Sequence, residues 1–218
     1  MKRVISGLLF LFTTWTVFSQ NNGFRPEWSY GANAGIALSQ VHFNPRVLQQ
    51  MLCKGTGGLT VRYISEKNFG IQVEVNYAVR GWKEQTDTVR FFNHYARSLT
   101  YIELPLMTQF YADLGKKTRF IFNAGPQIGY NIGAKELERD INVPYDYYDL
   151  PIQKKIDYGL CGGMGVEVRT KPGAFLLEGR YYFGLSDIFN NRRSDIFQAS
   201  SNQVISIKLT YFFRIFER

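Results

Sequence analysis

The chain has 218 residues, 26 Lys/Arg against 18 Asp/Glu, a formal net charge of +8 and 16% aromatic residues. The basic residues are scattered, with no dense Lys/Arg run of the kind that tracks a phosphate backbone, so no nucleic-acid partner is expected. Beyond the first segment, no apolar run reaches the ~20 residues of a membrane helix, which excludes a helical membrane protein but not a β-rich one.

Lys2 and Arg3 precede a mostly apolar run, Val4 to Val17, and Val17 and Ser19 are small enough for the −3 and −1 positions of a cleavage site. This is the pattern of a cleavable signal peptide over 1–19, with a mature domain over 20–218. Read as a spanning helix, the run is too short and is broken by Thr13, Thr14 and Thr16. No Cys follows the cleavage site, so no lipid anchor is expected there. Without Lys2 and Arg3 the chain keeps 24 basic and 18 acidic residues, a net +6.

The mature chain reads as eight strands, at 28–39, 55–65, 68–83, 97–113, 118–133, 155–170, 173–188 and 202–215. Each is long enough to cross a bilayer, which takes ~9–11 tilted residues. The third shows the pattern best. Phe69, Ile71, Val73, Val75, Tyr77 and Val79 alternate with Gly70, Gln72, Glu74, Asn76, Ala78 and Arg80. Such period-2 alternation sets one face against an apolar phase. It recurs in the fourth strand (Ile102, Leu104, Leu106, Phe110) and the last (Ile205, Ile207, Leu209, Tyr211, Phe213). The connections between these bounds run roughly 15, 2, 13, 4, 21, 2 and 13 residues, long and short in turn. With the N-terminus in the periplasm, every short turn lies there and every long loop lies outside, the plan of an outer-membrane barrel.

A soluble lipocalin-like barrel also alternates, with its polar face in water. Three features favour lipid outside. The polar face is rich in Gly (Gly31, Gly35, Gly70, Gly125, Gly129, Gly159, Gly163, Gly165, Gly184), which makes room in a narrow lumen. The same face carries Glu74, Glu103, Asp157, Glu167 and Glu178 beside Arg62, Arg80, Arg119, Arg169, Arg180 and Lys208. Five acids against six bases, with Arg dominant, suit a buried and paired network, because Arg binds carboxylates bidentately. Aromatics sit near strand ends on the apolar face: Trp28, Tyr30, Tyr63, Phe69, Trp82, Phe110, Phe120, Tyr130, Tyr158, Phe175 and Phe183. Such rings suit the boundary between hydrocarbon and headgroups. The expected fold is all-β, an eight-stranded antiparallel up-and-down transmembrane barrel with a plugged lumen.

The segments YIELPL (101–106), NAGPQIGY (123–130), GLCGGMGVE (159–167), LEGRYYFGLSDIF (177–189) and ISIKLTYFF (205–213) together resemble the PorT-like outer-membrane β-barrel family. The resemblance covers most of the chain from Trp28 onward. It implies an eight-stranded outer-membrane barrel and a link to type IX secretion, in which the founding member takes part. One feature departs from the usual barrel ending: Phe213 and Phe216 are followed by the charged pair Glu217-Arg218.

The residues offer little chemistry. His42 and His94 fall in expected external loops, near Ser39 and Ser98, without a recognisable acyl-transfer motif. An enzyme acting on outer-leaflet lipid through one of them is the alternative to a non-enzymatic barrel, and a purely structural or adhesive barrel is the third reading. GGMG at 162–165 lies inside a strand with no following helix, so phosphate cradling is not expected. Cys53 and Cys161 are too few for a disulfide framework, and one bridge between them stays open. No cofactor or metal is expected. The 134–154 segment, with Glu136, Glu138, Asp140, Asp149, Tyr145, Tyr147 and Tyr148, is the best candidate for a partner surface, since long loops on a rigid barrel carry function. Its acids do not match a calcium loop. Pro105 and Pro126 stand mid-strand in neighbouring strands and predict a weakened seam, or a simple bulge. The partners expected are outer-membrane lipid and other outer-membrane or secretion-system proteins.

Overall fold

The computed structural model describes residues 25–87, 92–141, 146–189 and 198–217; the expected signal segment 1–19 lies outside them. Eight strands run β1 (Glu27–Asn44), β2 (Leu52–Glu66), β3 (Phe69–Asp87), β4 (Phe92–Asp113), β5 (Thr118–Ile141), β6 (Ile156–Arg169), β7 (Ala174–Asp187) and β8 (Ala199–Glu217). They close in chain order into an antiparallel barrel, β1 sealing against β8 from Glu27↔Glu217 to Asn44↔Ala199. A short helical turn, Asp146–Asp149, stands between β5 and β6. The charged chain end is explained by this closure: β8 runs on to Glu217, so Phe216 and Glu217 still pair with β1.

The alternation in sequence becomes an inside and an outside. Along β3, Ile71, Val73, Val75 and Tyr77 are exposed, while Gln72, Glu74, Asn76 and Arg80 are buried. The same parity holds on β7, where Phe175, Leu177, Tyr181, Phe183 and Leu185 face out and Glu178, Arg180 and Tyr182 face in. An apolar exterior over a charged interior is stable only if the surrounding phase is hydrocarbon. The outward apolar residues run from Trp28 to Leu38 on β1, from Phe69 to Val79 on β3 and from Phe213 to Ile205 on β8. Each stretch matches the ~9–11 tilted residues of a membrane-crossing strand. Short turns at 67–68, 114–117 and 170–173 mark the periplasmic end.

Several strands outgrow their expected bounds, β1 among them, which runs on to Asn44. β3 continues to Asp87, β4 begins at Phe92 and β5 runs to Ile141, so the expected 134–154 loop is strand up to Ile141. These extensions stand above the lipid band, where the outward face meets water. It therefore carries mostly charges, with Leu137 exposed among them, and it reads as a loop in sequence. Lys83 on β3 pairs with Glu138 on β5 at 2.9 Å across β4. His42 and His94, expected in loops, lie within β1 and β4 for the same reason.

Trp82 is not a membrane-interface ring. It is fully buried, because the inward parity of Ala78 and Arg80 carries on through Trp82 and Glu84. Beside it, Gly81 has φ +148°, and a Cβ there would sit 2.0 Å from the Arg97 carbonyl oxygen. Only glycine fits such a close approach in that conformation.

Candidate functional site

The lumen is filled in layers. Near the periplasmic end, Ile64, Tyr111, Ile121, Ala174, Leu176 and Phe212 form an apolar floor. In this lowest layer the Arg62 guanidinium pairs with Glu167 and lies 3.7 Å above the Phe212 ring. Arg169 bridges Glu167 at 3.0 Å and Glu27 at 2.8 Å, which makes two cations and two acids. Arg119 is set apart at the mouth, where its Nε donates to Asp113 at 2.9 Å. Glu27 escaped the sequence reading because it stands at the first residue of β1, before the alternation is established.

The middle layer centres on Glu74. Its carboxylate accepts from Arg180 at 2.5 and 2.9 Å, Lys208 at 2.8 Å, Gln72 at 2.6 Å and Asn76 at 2.8 Å. Arg180 also bonds Glu178 at 2.6 Å, and Glu178 accepts from Asn123 at 2.9 Å. This layer too holds two acids and two bases. In the upper layer Arg80 reaches Glu103 at 2.6 Å and Asp157 at 2.8 Å, and its guanidinium lies 4.3 Å over the Tyr182 ring. Asp157 accepts from Tyr182 at 2.9 Å and Ser186 at 2.7 Å, and Glu103 accepts from Gln127 at 3.1 Å. Between the middle and upper layers remains a cavity of about 30 Å³, lined by Asn76, Arg80, Arg180 and Lys208 among others. That volume holds about one water molecule, too little for an aqueous channel at that level. The network joins strands far apart in sequence, and its charges are enclosed and paired, so it does the work of a core.

The extracellular end has a second apolar plug: Val41, Phe43, Trp82, Tyr95, Leu99, Tyr101, Tyr148, Ile188 and Phe189. Tyr148, expected as an exposed partner tyrosine, is buried there because the helical turn folds over the barrel mouth. Its ring stacks on Tyr95 at 4.3 Å and its hydroxyl donates to Glu84 at 3.3 Å. Trp82 Nε1 donates to Glu84 at 2.8 Å, and Arg97 Nη1 donates to the Leu150 carbonyl at 2.7 Å. Tyr95 lies above the lipid band, and burial pushes its phenol up to about 12.

Above the lipid band, the β3–β4–β5 extension carries the remaining candidate partner residues. Arg139 pairs with Asp149 at 2.7 Å and Glu136 at 3.4 Å, while Lys83 and His94 face Glu138. Asp140 is exposed on the same strand. Tyr145 lies outside the described residues, as does the side chain of Tyr147. The β5–β6 ladder ends at Tyr130↔Ile156, so among the described residues no strand pairs with the far edge of β5 from Gly133 to Asp140. Within that segment the Gly133 and Lys135 carbonyls accept from Asn131 Nδ2 at 3.2 Å and Ser98 Oγ at 3.1 Å.

The two prolines interrupt ladders without changing register. Pro105 faces Gln127, and the next β4–β5 pair is Thr108↔Ala124, so Leu106 and Met107 have no ladder partner on β5. Between β3 and β4 the pairs step from Val73↔Leu106 to Asn76↔Glu103. No bulge sits at the prolines; the β4–β5 register shifts lie higher, at Ala96/Arg97 and Thr100/Tyr101. Thr108 partly closes the gap by donating to the Ala124 carbonyl at 2.7 Å.

The Ser39–His42 pair of the enzymatic alternative does not come together. Ser39 points inward, donating to the Leu52 carbonyl at 3.2 Å and accepting from Gly81 N at 2.9 Å, whereas His42 faces out. Residues three apart on a strand project to opposite faces. Ser98 is buried and donates to the Lys135 carbonyl at 3.1 Å. Cys161 is buried, Cys53 is exposed, and both are free. No group of three or more His, Cys, Asp or Glu among the described residues is arranged to hold a metal.

Comparison with known proteins agrees with this geometry. Residues 18–190 match the family model described as outer membrane protein beta-barrel domain. No curated protein matches the chain. The structure is similar to the outer membrane protein OprG of Pseudomonas aeruginosa, with TM-score 0.50, 11% identity, and coverage of 89% of this chain and 97% of that one. It is also similar to Ail, the attachment invasion locus protein of Yersinia pestis, solved with the heparin analogue sucrose octasulfate (TM-score 0.43, 13% identity, 87% and 100% covered). A third similar structure is Neisserial surface protein A (TM-score 0.46, 12% identity, 84% and 96% covered). At these identities the likeness speaks of fold alone. With an eight-stranded closed barrel, an apolar exterior and a family match over most of its length, the chain belongs to the outer membrane protein beta-barrel family and resides in the outer membrane of a Gram-negative cell.

Proposed function

We propose that this outer-membrane barrel is a non-enzymatic binding and assembly component, an accessory of type IX protein secretion, that engages protein partners through its extracellular β3–β5 extension. The observation that carries the reading is the β5 edge from Gly133 to Asp140, which pairs with no strand among the described residues and stands on the three-stranded β3–β4–β5 extension. An exposed edge accepts an extended partner segment through main-chain hydrogen bonds, with flanking side chains setting specificity. Lys135, Glu136 and Asp140 flank the edge, and an added Cβ at Gly133 would meet open space. The inward turn of Ser39 and the scattered histidines weigh against the lipid-enzyme alternative. The secretion link rests on the PorT-like segments.

The test is a pull-down from outer membranes with the parent chain and with Gly133→Pro and Lys135→Pro variants, alongside gene deletion. Proline lacks the N–H and blunts a strand edge. Loss of specific partners in variants that still fold, together with lost surface cargo on deletion, supports the reading. Unchanged secretion on deletion removes the type IX role, and unchanged partner recovery removes the edge.

A further inference from the structure

On the outer surface, β1 and β8 change from apolar to polar at one height. Leu38 is paired with Ile205, and two residues higher Gln40 is paired with Gln203. Their side chains also meet, Gln40 Nε2 donating to Gln203 Oε1 at 3.0 Å. This step marks the level at which hydrocarbon gives way to the headgroups of the outer leaflet.

A cavity of about 420 Å³ opens at that level, lined by residues 40–44, 46–49 and Gln203. Its outer wall is the 45–51 loop, which is anchored at two points. The Gln49 side chain serves as a strand partner for Val41, accepting from its N–H at 3.1 Å and donating to its carbonyl at 2.5 Å. Gln50 N donates to the Lys83 carbonyl at 2.7 Å. The lining supplies His42, Arg46 and the amides of Gln40 and Gln203, while those of Gln49 and Asn44 are taken up by Val41 and by Gln198 at 3.3 Å, and it contains no carboxylate. Arg46 is exposed and makes no ion pair among the described residues. Leu48 is 64% exposed beside these polar groups. The volume falls in the range of small-ligand pockets, ~300–1,000 Å³. A guanidinium with convergent amides is a recognition set for a phosphorylated sugar, and an exposed leucine at this depth suits contact with the lipid part of the same molecule.

We infer that the pocket between β1 and the 45–51 loop binds the phosphorylated sugar headgroup of an outer-leaflet glycolipid, with Arg46 on the phosphate and Gln40 and Gln203 on the sugar. The site is separate from the β5 edge and stands or falls without it.

The experiment is native mass spectrometry of the full mature chain in a maltoside detergent. It is titrated with a bisphosphorylated glucosamine-disaccharide lipid, with the same lipid dephosphorylated, and with inorganic phosphate as competitor. Arg46→Gln and Gln40→Leu are the variants, and heat-modifiable gel migration verifies that each is folded. Arg46 is exposed in a loop, so its variant is expected to fold. The expected result is binding of the phosphorylated lipid, weakened about tenfold or more by Arg46→Gln or by dephosphorylation, the loss of one charge-assisted hydrogen bond. Gln40→Leu weakens it too, and millimolar phosphate does not displace it. Equal binding of the dephosphorylated lipid, or an Arg46→Gln variant that binds as the parent does, overturns the assignment. Full displacement by inorganic phosphate overturns the glycolipid as the ligand.

Discussion

Replacing Glu74 with Gln tests whether the lumen acts as a charged core. Glu74 is 1% exposed and receives bonds from Arg180, Lys208, Gln72 and Asn76. The substitution keeps shape but removes one of two acids in a layer with two cations, leaving Glu178 to serve both Arg180 and Lys208. It also turns an amide donor toward the Arg180 and Lys208 cations, which only donate. Removing one partner of a buried pair costs about 3–5 kcal/mol, because a charge stays enclosed without its counter-ion. Equilibrium urea unfolding in lipid vesicles, followed by tryptophan emission, should show that loss as a lower midpoint at unchanged slope. Adding Lys208→Met restores charge balance, so the double variant should be more stable than the two single losses predict, by about 0.5–3 kcal/mol. A Glu74→Gln variant within about 0.5 kcal/mol of the parent, or strictly additive losses, would refute the argument.

Four further outcomes follow from the same structure. In planar bilayers the purified barrel should show no large, steady conductance, since the cavity between its middle and upper layers is only about 30 Å³. Hydrogen exchange in detergent should find the amide of Leu106, which faces β5 across the gap, exchanging faster than that of Phe110, which keeps its β5 partner Phe122; uniformly slow exchange along β4 would remove the seam. Tyr148→Ala should open the extracellular plug and shift the Trp82 emission to longer wavelength, with about 3–5 kcal/mol lost locally if it resembles other aromatic truncations. The Tyr95 phenol is raised from 10.0 to about 12 in the folded plug. Its contribution to stability is therefore complete below pH 10 and is lost as pH climbs from 10 to 12. Proteolysis of the plug should accelerate across that window, less so in Tyr95→Phe.

The parts of this molecule that face lipid were the most legible in sequence, because hydrocarbon enforces strict period-2 alternation. Val73, Val75 and Tyr77 announce β3, and all eight strands could be placed from such runs. Where the strands rise into water the rule lapses. Lys135 to Asp140 are charged except for Leu137, so a strand there reads as a loop in sequence, although Lys83 and Glu138 join across β4. Trp82 departs from its expected side for a related reason: a tryptophan near a strand end suggests a membrane interface, but parity with Arg80 turns it inward. Tyr148 could not have been placed from sequence at all, since nothing local says that the helical turn folds over Tyr95. The charged residues of the lumen were nameable one by one. Their pairing was not, because Arg62 and Glu167 are 105 residues apart and only barrel closure brings them together.

The whole account turns on which phase the outer face of the barrel meets, and this is open to direct measurement. Nitroxide labels at Ile71, Val73, Val75 and Tyr77, and one at Lys83, would be read in bilayers for collision with oxygen and with a water-soluble nickel complex. The structure predicts high oxygen and negligible nickel contact at the first four positions, and the reverse at Lys83. Ready nickel contact at Val75 would mean water bathes that face, and the membrane barrel would be contradicted.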